Sequence, residues 1–529
     1  MIKDLQISVA PKTAASIIAV KKHVSKLLAV DYTGINFIKT TRRSIDARHR
    51  KIMVNLGLRV YIGEEPDTKS LVTPVDYKPV QDGPEAIVVG AGPGGLFAAL
   101  RLIELGIKPI VLERGKTVTE RQRDIAAIPH TGTVDENSNY CFGEGGAGAF
   151  SDGKLYTRSR KRGSVEKILG VFHQHGAPED ILIDARPHIG TDKLPSVIAN
   201  MRQTILACGG EVHFNSRVTS LIIEKGEALG VTCADGESYR GPVILATGHS
   251  ARDVYRMLNH QGVAIEPKGI AVGVRVEHPQ KLIDQIQYHS PEGRGRYLPA
   301  ADYNFVTQVN DRGVYTFCMC PGGFIVPAAS GPGQMVVNGM SPANRGSRWA
   351  NSGVVVEIRP DDLSGYDGDD ALRVMRFQED LEKRFFQAAG NSLNAGAQRL
   401  LDFVQGKASA DLPATSYPLS VQPTRVDQWL PMAISSRLKK GLEIFGKSAE
   451  GYLTNDAIVI GVETRTSSPV RVPREPGSLR HIQLAGLYPC GEGAGYAGGI
   501  VSAAIDGENC ADALAANLRQ RRREAALYS

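Results

Sequence analysis

The sequence contains no long uninterrupted run of apolar residues. A membrane-spanning helix needs about 18 to 20 of them, and no apolar run in the 529 residues approaches that length. The first residues, Met1-Ile-Lys-Asp-Leu-Gln, also lack the apolar core of a secretory signal. We therefore expect a protein without a membrane span, located in the cytoplasm.

Cysteines are few and scattered. The chain has seven, without the paired CxxC ligands of a structural zinc site or the spacing of a disulfide framework. We therefore expect no metal site and mostly reduced, structural cysteines. Cys318 and Cys320 invite a redox interpretation, but in an extended strand residues i and i+2 have Cα atoms about 7 Å apart, beyond comfortable disulfide geometry. That spacing favours a structural role for both, with the redox role as the alternative.

Aromatic residues and net charge are also low, at 6% and +6. Basic residues nevertheless cluster in the first 51 residues and again over residues 519–523. Neither cluster contains the interleaved aromatic side chains on which nucleic-acid bases stack. Solvated helix and strand faces explain the clusters better, so nucleic acid is not an expected partner.

The chain shows no repeat of fixed period, but its composition divides it. Residues 1–73 read as a small β-α-β-β unit, with strands at 3–9, 35–40 and 51–62 and a helix over 14–30. Residues 74–84 contain three prolines and a glycine, which is typical of a linker.

A glycine-rich turn follows a short buried strand just after this linker. Gly90, Gly92 and Gly95 have the GxGxxG spacing of a dinucleotide-binding βαβ unit, whose helix N-terminus binds a diphosphate. Glu113 ends the next strand, 23 residues after Gly90. A carboxylate there accepts hydrogen bonds from the adenosine ribose hydroxyls and repels a 2′-phosphate. The pattern therefore predicts FAD or NAD rather than NADP.

Two further glycine clusters, at residues 142–155 and 486–507, point to a flavin. In the first, consecutive small residues leave backbone N–H groups open to a planar ring or a phosphate, and Phe142 and Phe150 favour an anchored loop over a flexible linker. The second combines a strand, a glycine turn containing Glu492 and a helix rich in small residues. No second GxGxxG follows a strand.

The whole pattern resembles the FAD-binding superfamily that includes glutathione reductase and p-hydroxybenzoate hydroxylase. The resemblance implies that Gly90, Gly92 and Gly95 hold the diphosphate, Glu113 the ribose, and Glu492 the ribityl or diphosphate side. It also implies that the helix beginning near Gly499 points its positive end at the flavin, which favours the reduced, anionic form. The cofactor contacts implied in full are Gly90, Ala91, Gly92, Pro93, Gly94, Gly95, Glu113, Arg114, Gly145, Gly146, Ala147, Gly148, Val218, Gly248, Gly491, Glu492, Gly498, Gly499 and Ile500.

A closer resemblance covers nearly the whole chain. The stretches 145–155, 188–194, 317–323, 337–341 and 463–469 are similar to those of a bacterial family of uncharacterised FAD-dependent dehydrogenases. The resemblance implies an α/β fold with three parts. They are a small N-terminal ferredoxin-like domain, a Rossmann-like FAD-binding domain built from residues 85–252 and 451–529, and an inserted α+β substrate or cap domain at 253–450. It implies nothing about the substrate.

Three polar residues stand out as candidate catalytic groups. Lys154, Arg465 and Ser467 lie in polar motifs between glycines and prolines, which is typical of loops that face a cleft. Lys154 or Arg465 could stabilise an anionic flavin or orient a carboxylate substrate, and each could equally brace a loop. His188 is predicted to be satisfied by neighbouring backbone groups.

These features predict a FAD-dependent oxidoreductase acting on a small organic substrate, with FAD bound non-covalently. Disulfide reductases of this superfamily carry a CxxxxC after the first glycine-rich helix, whereas only Cys141 lies in that region here. NAD(P)H would bind only transiently, because no second nucleotide fingerprint is present. The electron donor is open. Two alternatives remain: a flavoprotein that recruits and modifies RNA through its basic N-terminal unit, and a flavin-based redox sensor.

Overall fold

The computed structural model describes residues 1–66, 71–157, 160–368 and 370–527. The N-terminal unit is a three-stranded antiparallel sheet, in the order β1-β3-β2, covered by a helix. Its elements are β1 (Ile2–Val9), α1 (Pro11–Ala14), α2 (Ile17–Leu28), β2 (Ile35–Asp46) and β3 (Met53–Ile62). Val20 and Val24 of α2 are buried against the sheet.

This unit differs from the expected ferredoxin-like domain. A ferredoxin-like fold has the order β-α-β-β-α-β with four strands, whereas the described part of this unit has three. Hydrogen bonds of Arg43 connect this unit to the segment that contains Asp184. The Arg43 Nε and Nη2 donate to the Asp184 carboxylate at 2.6 and 3.0 Å. The Ala185 N–H also donates to the Arg43 carbonyl at 2.9 Å.

The second stretch of the chain alternates strands and helices. Its elements are β4 (Glu85–Val89), α3 (Pro93–Glu104), β5 (Lys108–Leu112), α4 (Val118–Thr131), α5 (Val165–Gln174), α6 (Asp180–Ile183), α7 (Leu194–Ala207), β6 (Glu211–His213), β7 (Val218–Glu224), β8 (Glu227–Cys233), β9 (Ser238–Arg240), β10 (Val243–Leu245) and α8 (Arg252–His260). Strands β7, β8 and β9 form a small antiparallel sheet of their own.

The third stretch is rich in long strands. Its elements are β11 (Glu266–Pro267), β12 (Ile270–Pro279), α9 (Gln280–Gln287), β13 (Val306–Val309), β14 (Arg312–Cys320), β15 (Phe324–Pro327), β16 (Val337–Met340), β17 (Trp349–Ile358), α10 (Arg373–Ala388), β18 (Ala395–Arg399), α11 (Leu400–Gln405), β19 (Val421–Pro423), α12 (Val426–Trp429), α13 (Met432–Ser448) and β20 (Ile458–Glu463). The chain then returns through β21 (Val470–Arg471), β22 (Leu487–Pro489) and α14 (Ile500–Leu527). Short 3-10 helices lie at Gly146–Gly148, Arg160–Arg162, Pro360–Leu363 and Tyr366–Gly368.

A five-stranded parallel sheet, in the order β22-β10-β4-β5-β6, forms the centre of one half of the molecule. Its strands come from distant parts of the chain, because β22 follows β10 by more than 200 residues. Helices α3 and α14 pack on this sheet and touch closely at two glycines. A Cβ added at Gly507 would lie 2.1 Å from the Gly94 carbonyl oxygen.

The other half is built on a seven-stranded mixed sheet, in the order β13-β14-β17-β12-β20-β18-β19. Strand β20 lies inside this sheet, paired with β12 and β18. The predicted boundary at residue 450 is therefore wrong for β20, which completes the inserted unit. Conversely, α8 packs through Val254 and Leu258 into the core that contains β4 and β10, so the insertion begins after α8 and not at residue 253.

The first five residues of strand β20, Ile458 to Val462, are apolar because both faces of the strand are buried. Every residue of Ile458–Glu463 is buried, as is typical of a strand at the centre of a layered domain. From sequence, such a run does not show which of two sheets it joins. Among the described residues, no helix is long and apolar enough to cross a membrane.

Candidate cofactor site

The turn between β4 and α3 is fixed by close backbone approaches. Gly90 has φ +103°, and an added Cβ there would lie 2.5 Å from the Ala246 carbonyl oxygen. A Cβ at Gly95 would lie 1.8 Å from the Gly90 carbonyl oxygen. Only glycine allows the helix to begin this close to the strand, so both residues shape the turn, and Gly90 also lines the crevice described below.

Gly92 differs from Gly90 and Gly95 in having open space where a side chain would lie. Its backbone is extended (φ −77°, ψ −177°) and it caps α3, which begins at Pro93. The nearest atom to an added Cβ is the Gly146 Cα, at 3.8 Å. The missing side chain therefore leaves a gap at the N-terminus of α3, where the unpaired N–H groups and the positive helix end favour an anion.

The Glu113 carboxylate ties three backbone segments together. One oxygen accepts the Ala91 N–H at 2.8 Å, and the other accepts the N–H groups of Gly115 and Gly143 at 2.9 and 3.0 Å. The side chain is buried, yet it also lines the crevice described below. Glu113 thus positions the loops around the turn, a role that the sequence analysis did not include.

The three glycine-rich stretches converge at this turn. The Gly145 N–H donates to the Ala91 carbonyl at 2.8 Å. A Cβ at Gly148 would lie 3.2 Å from the Ile500 side chain, at the start of α14, and 3.4 Å from Pro93. The N-termini of α3 and α14 are therefore brought together by the loop that contains the 3-10 helix Gly146–Gly148.

A crevice opens where these stretches meet and continues to the inserted unit. It holds about 1390 Å³ of space not filled by atoms, open solvent at its mouth included. The predicted cofactor residues that line it are Gly90, Gly92, Pro93, Gly94, Glu113, Arg114, Gly146, Ala147, Gly148, Val218, Gly248, Gly491, Glu492, Gly499 and Ile500. Four predicted cofactor residues do not line the crevice. Three of them are buried (Ala91, Gly95 and Gly145), and Gly498 is exposed.

Arg114 lines the crevice and is braced on three sides. Its Nη1 donates to Asp253 at 2.9 Å, its Nη2 donates to Asn137 at 3.1 Å, and the guanidinium lies 4.1 Å from the centre of the Phe142 ring. These contacts combine a charge-assisted hydrogen bond with a cation–π contact. Arg114 thus forms a rigid wall at this end of the crevice.

Glu492 faces the crevice without a side-chain hydrogen bond or ion pair among the contacts of the described residues. Burial raises its pKa to about 7, only partly offset by Lys268, and Cys318 raises it further. The carboxyl therefore changes its charge near neutral pH when the crevice holds only solvent. An acid whose pKa is raised on folding loses stability as the pH rises from its unfolded-state pKa through its folded-state pKa, and the loss persists at higher pH.

Glu492→Gln is expected to stabilise the ligand-free protein at pH 8 but not at pH 4. Wild-type stability should fall as the pH rises from 4.5, the ordinary value, through about 7, whereas the amide has no charge to bury. The difference should reach about 1–3 kcal/mol at pH 8, measured by urea unfolding across the pH range. The exposed Glu450→Gln is the control. A pH-independent effect of Glu492→Gln would contradict this account.

Arg465 is the one predicted catalytic residue that lines the crevice. It is buried, and its guanidinium donates to Glu382, to Gln334 at 2.7 Å and to Ser330 at 2.5 Å. Glu382 also pairs with buried Arg252, from α8, at 2.7 Å. This Arg252-Glu382-Arg465 cluster joins the parallel-sheet half to the inserted unit and fixes the Arg465 side chain at the crevice wall.

Lys154 and Ser467, the other two candidates, do not line the crevice. The Lys154 ammonium donates to the Met319 carbonyl and lies 3.7 Å from the Asp152 carboxylate. The Ser467 hydroxyl accepts from Lys268 at 3.4 Å. Both side chains therefore lie behind the crevice, and Lys154 makes the contacts of a loop-bracing cation, the alternative that its motif leaves open. His188 is satisfied by backbone as predicted, with Nε2 3.0 Å from the Ala343 carbonyl.

Several lining residues were not identified from the sequence. They include Arg217, His249, Phe317, Cys318, Asn338 and Thr466. His249 follows the glycine turn at Gly248, so its place after a buried strand could have identified it. Burial, together with the positive charges of Arg465, Arg252 and Lys268, lowers the pKa of His249 to about 4. Phe317, Cys318 and Asn338 come from the inserted sheets, and no local motif indicates that they reach the crevice.

A protein from Clostridium beijerinckii, described as uncharacterized, is 39% identical to this chain over 510 residues. The match covers 93% of this chain and 95% of the relative. The chain belongs to that protein's family. Within the present chain, residues 269–466 match the family model of a C-terminal domain of FAD-dependent proteins, and residues 1–61 match a domain of unknown function. The first match ends three residues after β20, in agreement with the structural boundary.

Two solved structures resemble this chain at low sequence identity. The protein CtdE, solved in complex with FAD, is 12% identical, with 83% of this chain and 90% of that chain covered and a TM-score of 0.30. A geranylgeranyl bacteriochlorophyll reductase-like protein from Thermoplasma acidophilum is 13% identical, with 83% and 79% covered and a TM-score of 0.34. Likenesses this weak say nothing about the reaction, which has to be argued from the crevice.

Proposed function

We propose that the crevice binds FAD non-covalently and that the protein is a FAD-dependent oxidoreductase acting on a small organic molecule. The observation that carries this proposal is the convergence of three distant glycine-rich stretches on the N-termini of α3 and α14. FAD has a diphosphate at its centre and an anionic locus on its reduced ring. Two positive helix ends in one elongated crevice match those two groups.

The lining residues fit FAD along the length of the crevice. The gap at Gly92 admits a diphosphate against the first turn of α3, because an added Cβ there would meet only Gly146. Glu113, Arg217 and Val218 line the end of the crevice next to β5 and β7, where an adenosine would lie. Gly499 and Ile500 would face the flavin ring with the positive end of α14.

Bound FAD would supply the two-electron chemistry, so the chain has to position a substrate and tune charge. Phe317, Asn338, Arg465 and Thr466 approach from the inserted unit and close one wall of the crevice. Arg465 is permanently charged and held in place by Glu382, so it can pair with a carboxylate of a substrate or with an anionic ring. His249, neutral above about pH 4, can donate or accept a hydrogen bond beside it.

The first test is the cofactor content of the purified protein. We expect a yellow protein that carries one flavin per chain and releases it intact on denaturation, with the released compound identified as FAD by chromatography and mass. FMN, a covalent flavin, or no uptake of added FAD would each contradict the proposal. None of the described residues of the N-terminal unit lines the crevice, so removal of the unit should leave FAD content unchanged.

The electron donor is the second test. We expect any reduction by NADH or NADPH to be a second-order process without tight binding, because the single fingerprint is used for FAD. Anaerobic stopped-flow measurement of flavin bleaching against both nucleotides, with and without a panel of small organic acids and alcohols, would show which pairs react. A flavin that no donor or substrate reduces would favour a redox sensor over an enzyme.

A further inference from the structure

Strand β14 is irregular at the point where it meets the crevice. Phe317 pairs with Gly353 and Cys320 with Asn351, so three residue steps on β14 face two on β17. Cys318 lies within this bulge with φ +44°, in the left-handed region that non-glycine residues rarely adopt. The chain between Cys318 and Cys320 is therefore not an extended strand, so the geometric argument for purely structural cysteines does not apply here.

The bulge places the two sulfur atoms in different environments. Cys318 is partly exposed and lines the crevice, next to Phe317 and Asn338. Cys320 is fully buried, and its thiol donates to the Cys318 carbonyl at 3.3 Å. Bulges of this kind re-aim a side chain, and strained residues of this kind cluster at functional sites. One thiol thus faces the crevice and the other lies behind it.

Two cations lie beside the sulfurs, each of them also paired with a buried carboxylate. Arg275, fully buried, donates from Nη2 to the Cys318 carbonyl at 2.5 Å and to the Cys320 sulfur at 3.6 Å. Lys154 donates to the Met319 carbonyl between them. The neighbouring Cys320 thiol, aided by Lys154 and Arg275, lowers the pKa of the Cys318 thiol well below its ordinary value, although burial opposes this. These surroundings favour the thiolate form of Cys318, which is the form that reacts in thiol–disulfide exchange.

We propose that Cys318 and Cys320 form a redox-active dithiol that exchanges two electrons with the flavin in the crevice. The proposal rests on the proposed function, since it needs FAD as the electron acceptor. The Cys318 thiolate and the Cys320 thiol lose two electrons and one proton as a single Sγ–Sγ bond forms. The two electrons and the proton pass to oxidised flavin. In the reverse direction the disulfide opens to the same thiolate and thiol.

The first experiment examines the cysteines directly and does not depend on bound flavin. Aerobically purified full-length protein is denatured in iodoacetamide and digested with trypsin. The peptide 313–345 contains Cys318 and Cys320 and no other cysteine. We expect it unlabelled and two hydrogens lighter than the dithiol form, and doubly labelled after prior reduction with dithiothreitol. Full labelling without prior reduction would overturn the proposal, as would pairing of either residue with a different cysteine.

The second experiment counts electrons. Anaerobic dithionite titration of the FAD-loaded protein should consume four electrons per flavin in the wild type, and two in both Cys318→Ser and Cys320→Ser. Cys208→Ser, a buried cysteine outside the crevice, should still take four. A wild type that binds FAD but takes only two electrons would refute the dithiol and leave the proposed function intact. Failure of the wild type to bind FAD would instead refute the proposed function.

Discussion

Gly92→Val should abolish FAD retention while the protein folds normally. The backbone at Gly92 is extended (φ −77°, ψ −177°), so valine meets no conformational penalty there. The valine methyl groups would fill the gap in front of the first turn of α3, where a diphosphate must approach the backbone. We expect the FAD affinity to fall by about 100-fold or more, which corresponds to about 3 kcal/mol, measured by fluorescence titration of the apo-protein.

The matching control is a valine at an exposed glycine. A Cβ at Gly477 meets nothing within 4 Å, so Gly477→Val should change neither FAD affinity nor unfolding. Gly95→Ala provides the opposite contrast, because its Cβ would lie 1.8 Å from the Gly90 carbonyl oxygen and should disrupt the turn itself. If Gly92→Val bound FAD as tightly as the wild type, the cofactor would have to lie elsewhere, and the assignment of the crevice would be wrong.

The sequence predicts the parallel-sheet half well because its constraints are local. Gly90, Gly95 and Glu113 act within a single βαβ unit, where spacing along the chain determines spacing in the fold. The structure also shows contacts between distant segments, which the spacing along the chain does not predict. Glu113 accepts three backbone N–H groups, one of them from Gly143, a contact between segments separated by 30 residues.

The inserted unit is harder to predict because its contributions to the crevice are not local. Phe317 and Asn338 reach the crevice from two different sheets, and both lie within strands, β14 and β16, so nothing local shows that their side chains line a cleft. The predicted structural role of Cys318 assumes the geometry of an extended strand. The bulge at that position depends instead on how β14 pairs with β17. A bulge results from the register between partner strands, so a single strand's sequence does not determine it.

The roles of Lys154 and Arg465 are also difficult to predict from the sequence. Both lie in polar motifs, and sequence does not distinguish a cation that faces a ligand from one that supports a loop. The difference arises from partners distant in the chain: Met319 for Lys154, and Glu382 for Arg465. Glu382 itself lies on α10 in an ordinary amphipathic helix pattern, where a carboxylate is expected to face solvent rather than two buried arginines.

Glu382→Gln should therefore be among the most destabilising single substitutions in the protein. The carboxylate is fully buried between Arg252 and Arg465, with nitrogen–oxygen distances of 2.7 to 3.1 Å. The amide would leave buried Arg465 without a counter-charge and Arg252 with only the Glu379 carboxylate, 3.9 Å away. Removing one partner of such a cluster costs about 3–5 kcal/mol. Urea unfolding at pH 7 would measure the loss, and weaker FAD binding should accompany it because Arg465 is no longer held.

The pH dependence separates this charge effect from a packing defect. Although burial opposes it, the two arginines lower the pKa of Glu382 from 4.5 to about 2. A lowered acid pKa contributes stability above the ordinary value and loses it as the pH falls toward the folded-state value. The gap between wild type and Glu382→Gln should thus be full at pH 6 and shrink as the pH falls from 4.5 toward 2. Glu379→Gln, one turn earlier, removes a pair with exposed Arg256 at 2.6 Å and a longer contact of 3.9 Å with Arg252, and should cost less than about 1 kcal/mol. A gap that persisted unchanged into acid would show that the glutamate stabilises the junction through its shape and not through its charge.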